Sequence, residues 1–298
     1  ADMAEPSGTC GSTAGAGKEV RQHVAPAAAA HDAGVERAVA LESEARRAAS
    51  RFTGGQWFRL GHPWNEDWVR LFSARSVYQA VSVWHSVQDF SLFLIIDGEV
   101  QLTSRFGHVY HEMMAYLPLA VALHGLNSTE RRPALQVLVL GGGDGGIVQK
   151  LLQHPSVAQV TQVEIDELVV NASKRFFPEM QPPADERHRL VIDDAAKFVR
   201  QAAASPLAGT FDAVLLDTTD KLKGKGSSAG FTLAFYQDLA ALLRPAGVLA
   251  QSLGGLDSER LARRRLARAA KAFGGAAPFH FSWPDGASPH LALLASRS

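Results

Sequence analysis

The chain has 298 residues, 46% of them hydrophobic, and its 30 basic side chains balance its 30 acidic ones. That length supports a full core in one large or two smaller domains, and zero net charge argues against a general nucleic-acid binder. No apolar run is long enough to span a bilayer, and the single Cys10 excludes an intrachain disulfide or a cysteine-built zinc site.

Residues 1–55 read as an extension. The first thirty or so are rich in Ala, Gly and Ser without periodicity and suit a flexible or partner-ordered arm. Asp2, Glu5 and Glu19 fit a targeting segment poorly, so the expected compartment is the cytoplasm, with an organelle after processing as the alternative. From Asp32 to Arg51 the pattern is that of a short amphipathic helix.

Residues 56–108 read as a small antiparallel β domain. Val77, Gln79, Val81 and Val83 alternate, and Leu92–Ile96 and Val100–Thr103 flank Asp97-Gly98, a strong hairpin signal. Tyr78, Trp84, Phe90 and Phe93 are expected in its core rather than on a stacking platform. Val109–Leu126 has helical periodicity, with Tyr110, Met113, Met114, Leu117 and Val121 on one face.

From residue 109 to the end the chain reads as a Rossmann-like domain. Strands at Leu135–Leu140, Gln159–Glu164, Leu190–Ile192, Phe211–Asp217 and Val248–Gln251 alternate with helical stretches, the signature of a doubly wound parallel sheet. Phe279–Trp283 and His290–Ala295 form a closing hairpin, an arrangement that resembles AdoMet-dependent transferases.

The first of these strands runs into Gly141-Gly142-Gly143-Asp144-Gly145-Gly146 and then a helix, the context of a nucleotide loop. Asp144 is out of place for a pyrophosphate, because a carboxylate there repels phosphate and attracts a cation. Further acids stand where strands end: Glu164, Asp193-Asp194, and Asp217 and Asp220 in Asp217-Thr218-Thr219-Asp220. In open α/β sheets that edge is where ligands sit, and Glu164, about 20 residues past the loop, is placed to reach ribose hydroxyls. A single such acid could be a helix cap or a solvated loop residue; four in register point to a site.

These motifs resemble the polyamine aminopropyltransferases, the family of spermidine and spermine synthases. The resemblance runs from about Gln56 to the end and rests on the glycine loop, His154-Pro155-Ser156-Val157, Val163-Glu164-Ile165-Asp166, the 217–220 acids, and Ile95 to Gln101. It implies decarboxylated S-adenosylmethionine as co-substrate, with no tightly bound cofactor and no metal, and a small-molecule amine as acceptor, putrescine giving spermidine and methylthioadenosine. It implies further that Gln79, Gln101, Gly141, Gly143, Asp144, Gly146, Glu164 and Asp194 hold the donor. Asp217 would be the base, with Asp220 and Tyr110 placing the amine. A homo-oligomer paired through the β domain, or membership of a larger complex, goes with the resemblance; nucleic acid and membrane do not.

Departures from the family pattern gather on the acceptor side. Lys221, Lys223 and Lys225 follow the acidic motif, Gln251-Ser252-Leu253 replaces a Gln-Gly-Glu, and Trp283-Pro284 replaces Tyr-Pro. His111 replaces a glutamine, and Phe106-Gly107 an acidic pair. These leave a second reading, a catalytically degenerate paralogue serving as a structural or regulatory subunit. A methyltransferase is disfavoured because Asp144 would face the carboxylate of ordinary AdoMet. His108 and His111 read as satisfied or solvent-facing rather than as a metal pair, and the Arg260–Lys271 basic run as a solvated helix face.

Overall fold

Asp97 and Gly98 both take positive φ (50° and 84°), the conformation a two-residue hairpin needs to match strand twist. The turn belongs to a computed structural model that describes residues 68–124, 134–218, 231–255, 259–282 and 290–297. The arm and helix expected before residue 56, the lysine run, Asp220 and Trp283-Pro284 lie outside the described residues. The hairpin joins β3 (Leu92–Ile96) to β4 (Glu99–Thr103), which with β1 (Trp68–Arg75) and β2 (Ala80–Ser86) make a four-stranded antiparallel meander. Asp97 Oδ1 also accepts from the Ala80 N–H at 2.9 Å, fixing the turn against β2.

Alternation along these strands sends Val81, Val83, Leu94, Ile96 and Leu102 to one face, where they pack on Val169, Ala172, Phe177 and Met180. Each fully buried aliphatic side chain contributes about 1.5–3 kcal/mol relative to exposure. Two of the expected core aromatics are elsewhere: Phe90 is 77% exposed and Tyr78 39% exposed, because both lie in connections rather than strands. Val77 is 87% exposed for the same reason, so the alternation of buried positions begins at Gln79.

Helix α1 (Gly107–His124) leads into the larger sheet, whose strands are β5 (Leu135–Gly141), β6 (Val157–Glu164), β7 (His188–Ile192), β8 (Phe211–Asp217), β9 (Leu243–Gly255), β10 (Ala277–Phe281) and β11 (His290–Ser296). Their order is β10-β11-β9-β8-β5-β6-β7, parallel from β9 to β7 with β11 and β10 antiparallel at the edge. Helices α2 (Gly146–Gln153), α3 (Glu167–Phe176), α4 (Ala195–Ala203), α5 (Leu233–Leu242) and α6 (Glu259–Phe273) form the crossovers. Strand β5 splits its side chains between two cores. Val137 and Val139 meet α1 and α2, while Leu138 and Leu140 meet α4, α5 and α6. A strand buried on both faces reads as a continuous apolar run for this reason.

Helix α1 buries a different face from the one its periodicity suggests. His111, Met114, Ala115, Pro118, Leu119 and Ala122 are covered, and Val121 is 36% exposed. A helix apolar nearly all round gives a weak directional signal, and packing on α2 and β9 decides the face. Helix α6 carries its arginines in the solvent as expected, with one exception. Arg265 is 2% exposed and lies 4.3 Å over the Phe231 ring.

Chain order reverses between β5 and β8: from β5 the sheet grows through β6 to β7, and from β8 through β9 to the hairpin. A crevice opens at the carboxyl ends of strands at such a point. The small sheet is tied beside it by Ser76, whose hydroxyl donates to Asp166 Oδ2 at 2.7 Å while Asp166 Oδ1 caps α3 at Leu168 N.

Candidate active site

The loop from Gly141 to Gly146 leaves β5 at the switch point and is held almost wholly through its backbone. The Gly142 N–H donates to the Asp217 carbonyl at 3.0 Å, joining the loop to the end of β8. Buried Gln162 donates through Nε2 to the Gly142 carbonyl at 2.6 Å and the Gly141 carbonyl at 3.3 Å, and Gln181 donates to the Asp144 carbonyl at 2.6 Å. Glycine is required by proximity as much as by torsion. A Cβ on Gly141, whose φ is 88°, would lie 2.0 Å from the Asp217 carbonyl oxygen, and one on Gly146 would lie 2.0 Å from the His111 ring. Gly143 presses on Glu164, whose Oε2 would sit 2.9 Å from an added Cβ.

Asp144, Glu164 and Asp217 thus meet around one loop. Asp144 Oδ1 accepts from the Gly146 N–H at 2.9 Å and Oδ2 faces His111 Nε2 at 3.2 Å. Burial favours its neutral form, but the His111 charge and hydrogen bond, with the Gly146 amide, outweigh burial and hold Asp144 below the ordinary aspartate value. Glu164 is 7% exposed and accepts from the Asp166 N–H at 2.9 Å. Burial first, then the charges of Asp166 and Asp217, push its carboxyl up to about 7 against the hydrogen bonds it accepts. Asp217 is pushed up to about 6 by burial and by Asp144, with the Tyr110 hydrogen bond and His111 pulling the other way. Tyr110, on the first turns of α1, donates its hydroxyl to Asp217 Oδ1. Burial and the neighbouring Asp217 carboxylate raise the phenol well above its usual value, so Tyr110 stays a donor.

The structure brings together Gly141, Gly143, Asp144, Gly146, Glu164, Asp217 and Tyr110 from the sequence-predicted set. Gln79 is buried in the turn before β2, in the segment that Ser76 fastens to Asp166. Asp194 caps α4, its Oδ1 accepting from Ala196 N at 2.7 Å and Lys197 N at 3.1 Å, which fixes the carboxyl at the end of β7. Gln101 is exposed on β4 with its amide against the Glu99 carbonyl at 3.5 Å, outside the carboxylate cluster. His108 is exposed, while His111 is 1% exposed and turned to Asp144.

Sequence reasoning missed the residues that hold the site from behind. Gln162 and Gln181 carry the loop. Ser252 and His290 stand behind Tyr110, 2.9 Å apart between Oγ and Nε2. The replaced strand motif also reads differently in three dimensions. Gln251 accepts from the buried Tyr236 hydroxyl at 2.6 Å and Leu253 is 1% exposed in the α4–α6 core, so Ser252 alone faces Tyr110. The only visible signal for Gln162 was a polar side chain inside a strand that is otherwise buried at that end.

Comparison with known proteins agrees with this geometry. The spermine/spermidine synthase domain family matches residues 107–278, more than half of the chain. The chain is 36% identical over 187 residues to a polyamine aminopropyltransferase of Thermoplasma volcanium, a match covering 62% of each. It is also 36% identical over 180 residues to spermidine synthase 2 of Arabidopsis thaliana, covering 60% of this chain and 48% of the relative. A crystal structure of a spermidine synthase in complex with the transition-state analogue AdoDATO superposes with a TM-score of 0.66 at 26% identity, over 77% of this chain and 74% of that one. Matches to the first curated relatives span 51–62% of their lengths. The chain belongs to the spermine/spermidine synthase domain family.

Proposed function

We propose that this chain transfers an aminopropyl group from decarboxylated S-adenosylmethionine to a di- or polyamine, putrescine to spermidine in the first instance. The observation that carries the reading is the convergence of Asp144, Glu164 and Asp217 on a glycine loop, a site built for a cationic nucleoside rather than a phosphate. Asp144 pairs with the ammonium of the donor's aminopropyl tail and repels the carboxylate that ordinary AdoMet carries there, so one charge both selects and excludes. Glu164 takes the ribose hydroxyls, Asp194 the adenine amino group, and Gln79 adds a polar contact from the turn before β2.

Asp217 acts as the base. The acceptor arrives as an ammonium and must lose a proton before its lone pair can attack. A carboxylate with its value near 6 is ionised at neutral pH yet basic enough to share that proton. Tyr110 and Asp220 orient the amine for in-line attack on the methylene beside sulfur. The C–N bond forms, the C–S bond breaks with its electron pair going to sulfur, and methylthioadenosine leaves as a neutral thioether. Assembly through β1–β4 and a cytoplasmic setting belong to the same reading.

Calorimetry with decarboxylated AdoMet and AdoMet, followed by product analysis with putrescine and with spermidine, tests it. Preferential binding of the decarboxylated donor and formation of the extended amine are expected. Tight donor binding without product from any amine would overturn the activity and leave the degenerate subunit.

A further inference from the structure

The carboxyl of Asp217 faces one way toward the glycine loop, and the hydroxyl that holds it leads the other way. Tyr110 donates to Asp217 Oδ1, Ser252 is hydrogen-bonded to the same phenol, and Ser252 Oγ stands 2.9 Å from His290 Nε2. The Tyr110 and His290 rings meet edge to face with centroids 5.0 Å apart, and Phe281, on β10 opposite His290, packs 5.2 Å from the imidazole. Four polar groups from α1, β8, β9 and β11 therefore form one continuous line walled by aromatic rings. Its far end, His290, is only half-buried, whereas Asp217 lies among Asp144, His111 and Glu164. His280, one register position along β10, is exposed and alternates away from this line.

We propose that Ser252 and His290 form a proton outlet for Asp217, carrying the proton taken from the acceptor amine through Tyr110 to the surface. The proposal rests on the aminopropyl-transfer reading. An ammonium and a sulfonium become one secondary ammonium and a neutral thioether, so each turnover releases one proton, and it begins on Asp217. Buried between Asp144 and Glu164, that carboxyl has to return to its charged form before the next amine enters. Protonated Asp217 passes its proton to the Tyr110 oxygen as the phenol proton moves to Ser252 Oγ and the serine proton to His290 Nε2. The imidazolium then loses a proton to solvent. Both hydroxyls are donor and acceptor and can reorient, and the imidazole exchanges its ring protons with solvent to free Nε2 again, so the line reloads in its original direction with no bond to carbon made or broken. Histidine suits the outer end because an imidazole can both take up a proton and release it to solvent near neutral pH.

Ser252 and His290 are positioning residues in this scheme, and the test must move something other than stability. Ser252→Ala and His290→Gln are expected to lower kcat about tenfold, less than loss of the base itself would, with donor affinity by calorimetry unchanged. His290→Gln keeps a hydrogen-bonding amide but cannot take up a proton, so wild-type kcat in that variant and in Ser252→Ala would overturn the proposal. Imidazole added to His290→Ala should restore part of the rate, whereas it should leave Ser252→Ala unchanged. The wiring is read separately by NMR titration of the His290 ring. Asp217→Asn should displace that titration, and Ser252→Ala should remove the displacement. An NMR coupling through Ser252 in a chain that turns over no amine would overturn the transfer reading and uphold the wire; no coupling would overturn the wire whatever the activity.

Discussion

The glycine-loop side of the crevice and the Tyr110 side are held in different ways, and the difference says where each tolerates change. Around Gly141–Gly146 most contacts are backbone to backbone or backbone to a side-chain amide, and an added methyl would overlap the Asp217 carbonyl or the His111 ring. Substitution there deforms the fold locally. On the other side the line Asp217, Tyr110, Ser252, His290 is made of side chains from four elements, joined to one another through side-chain atoms. The first side is fixed by chain geometry and the second by side-chain contacts.

If the two sides are separable, Asp217→Asn should produce the largest effect, a loss in kcat of about 10²–10⁴-fold with decarboxylated AdoMet still bound. Loss of donor binding in the same variant would show that the sides are one unit. With Asp217 intact, kcat should fall as pH drops through about 6, because the base becomes protonated there, and a pH–rate profile checks the inflection.

Glu164→Gln comes next and acts in opposite senses on stability and binding. The folded-state value of Glu164 is raised from 4.5 to about 7, so the native chain holds this proton more tightly than the unfolded chain. Stability is therefore lost as pH rises from the unfolded value through about 7, by on the order of 3 kcal/mol when the shift is complete. The glutamine variant should be more stable than the parent at pH 8 and equal to it below about pH 4, as read by denaturant melts, while binding the donor less well. Equal stability at both pH values would mean that the carboxylate is well solvated.

Asp144→Asn should weaken decarboxylated AdoMet by about 1.5–3 kcal/mol, the range for a charge-assisted hydrogen bond, and narrow its preference over AdoMet. Competitive calorimetry measures both. The smallest change is expected for Ser76→Ala, which removes the tie to Asp166 between the small sheet and α3, at a cost of about 1 kcal/mol in thermal stability. A larger effect on donor binding than on melting would show that the tie positions Gln79.

Legibility from sequence followed the range of the interactions. Asp97-Gly98, the β5 run with its glycine loop, and the strand-end carboxylates Glu164, Asp194 and Asp217 are local patterns, and they lie where spacing puts them. Phe90, Tyr78 and Val77 are exposed despite their hydrophobic type, because each sits in a connection rather than a strand. The buried face of α1 is not legible locally, because Val121 and Ala122 are both apolar and only the neighbouring α2 and β9 choose between them.

By itself the sequence determined the two-sheet architecture, the order of β and α segments, and a loop whose acid demands a cation, since backbone periodicity and glycine torsions are properties of adjacent residues. Tertiary structure alone decided that the Tyr110 hydroxyl donates to Asp217 itself, that Gln162 carries the loop, and that Ser252 and His290 stand behind the base. Hydrogen bonds between distant elements depend on strand order and register, and those are settled by how the two faces of the sheet pack, which no local pattern encodes.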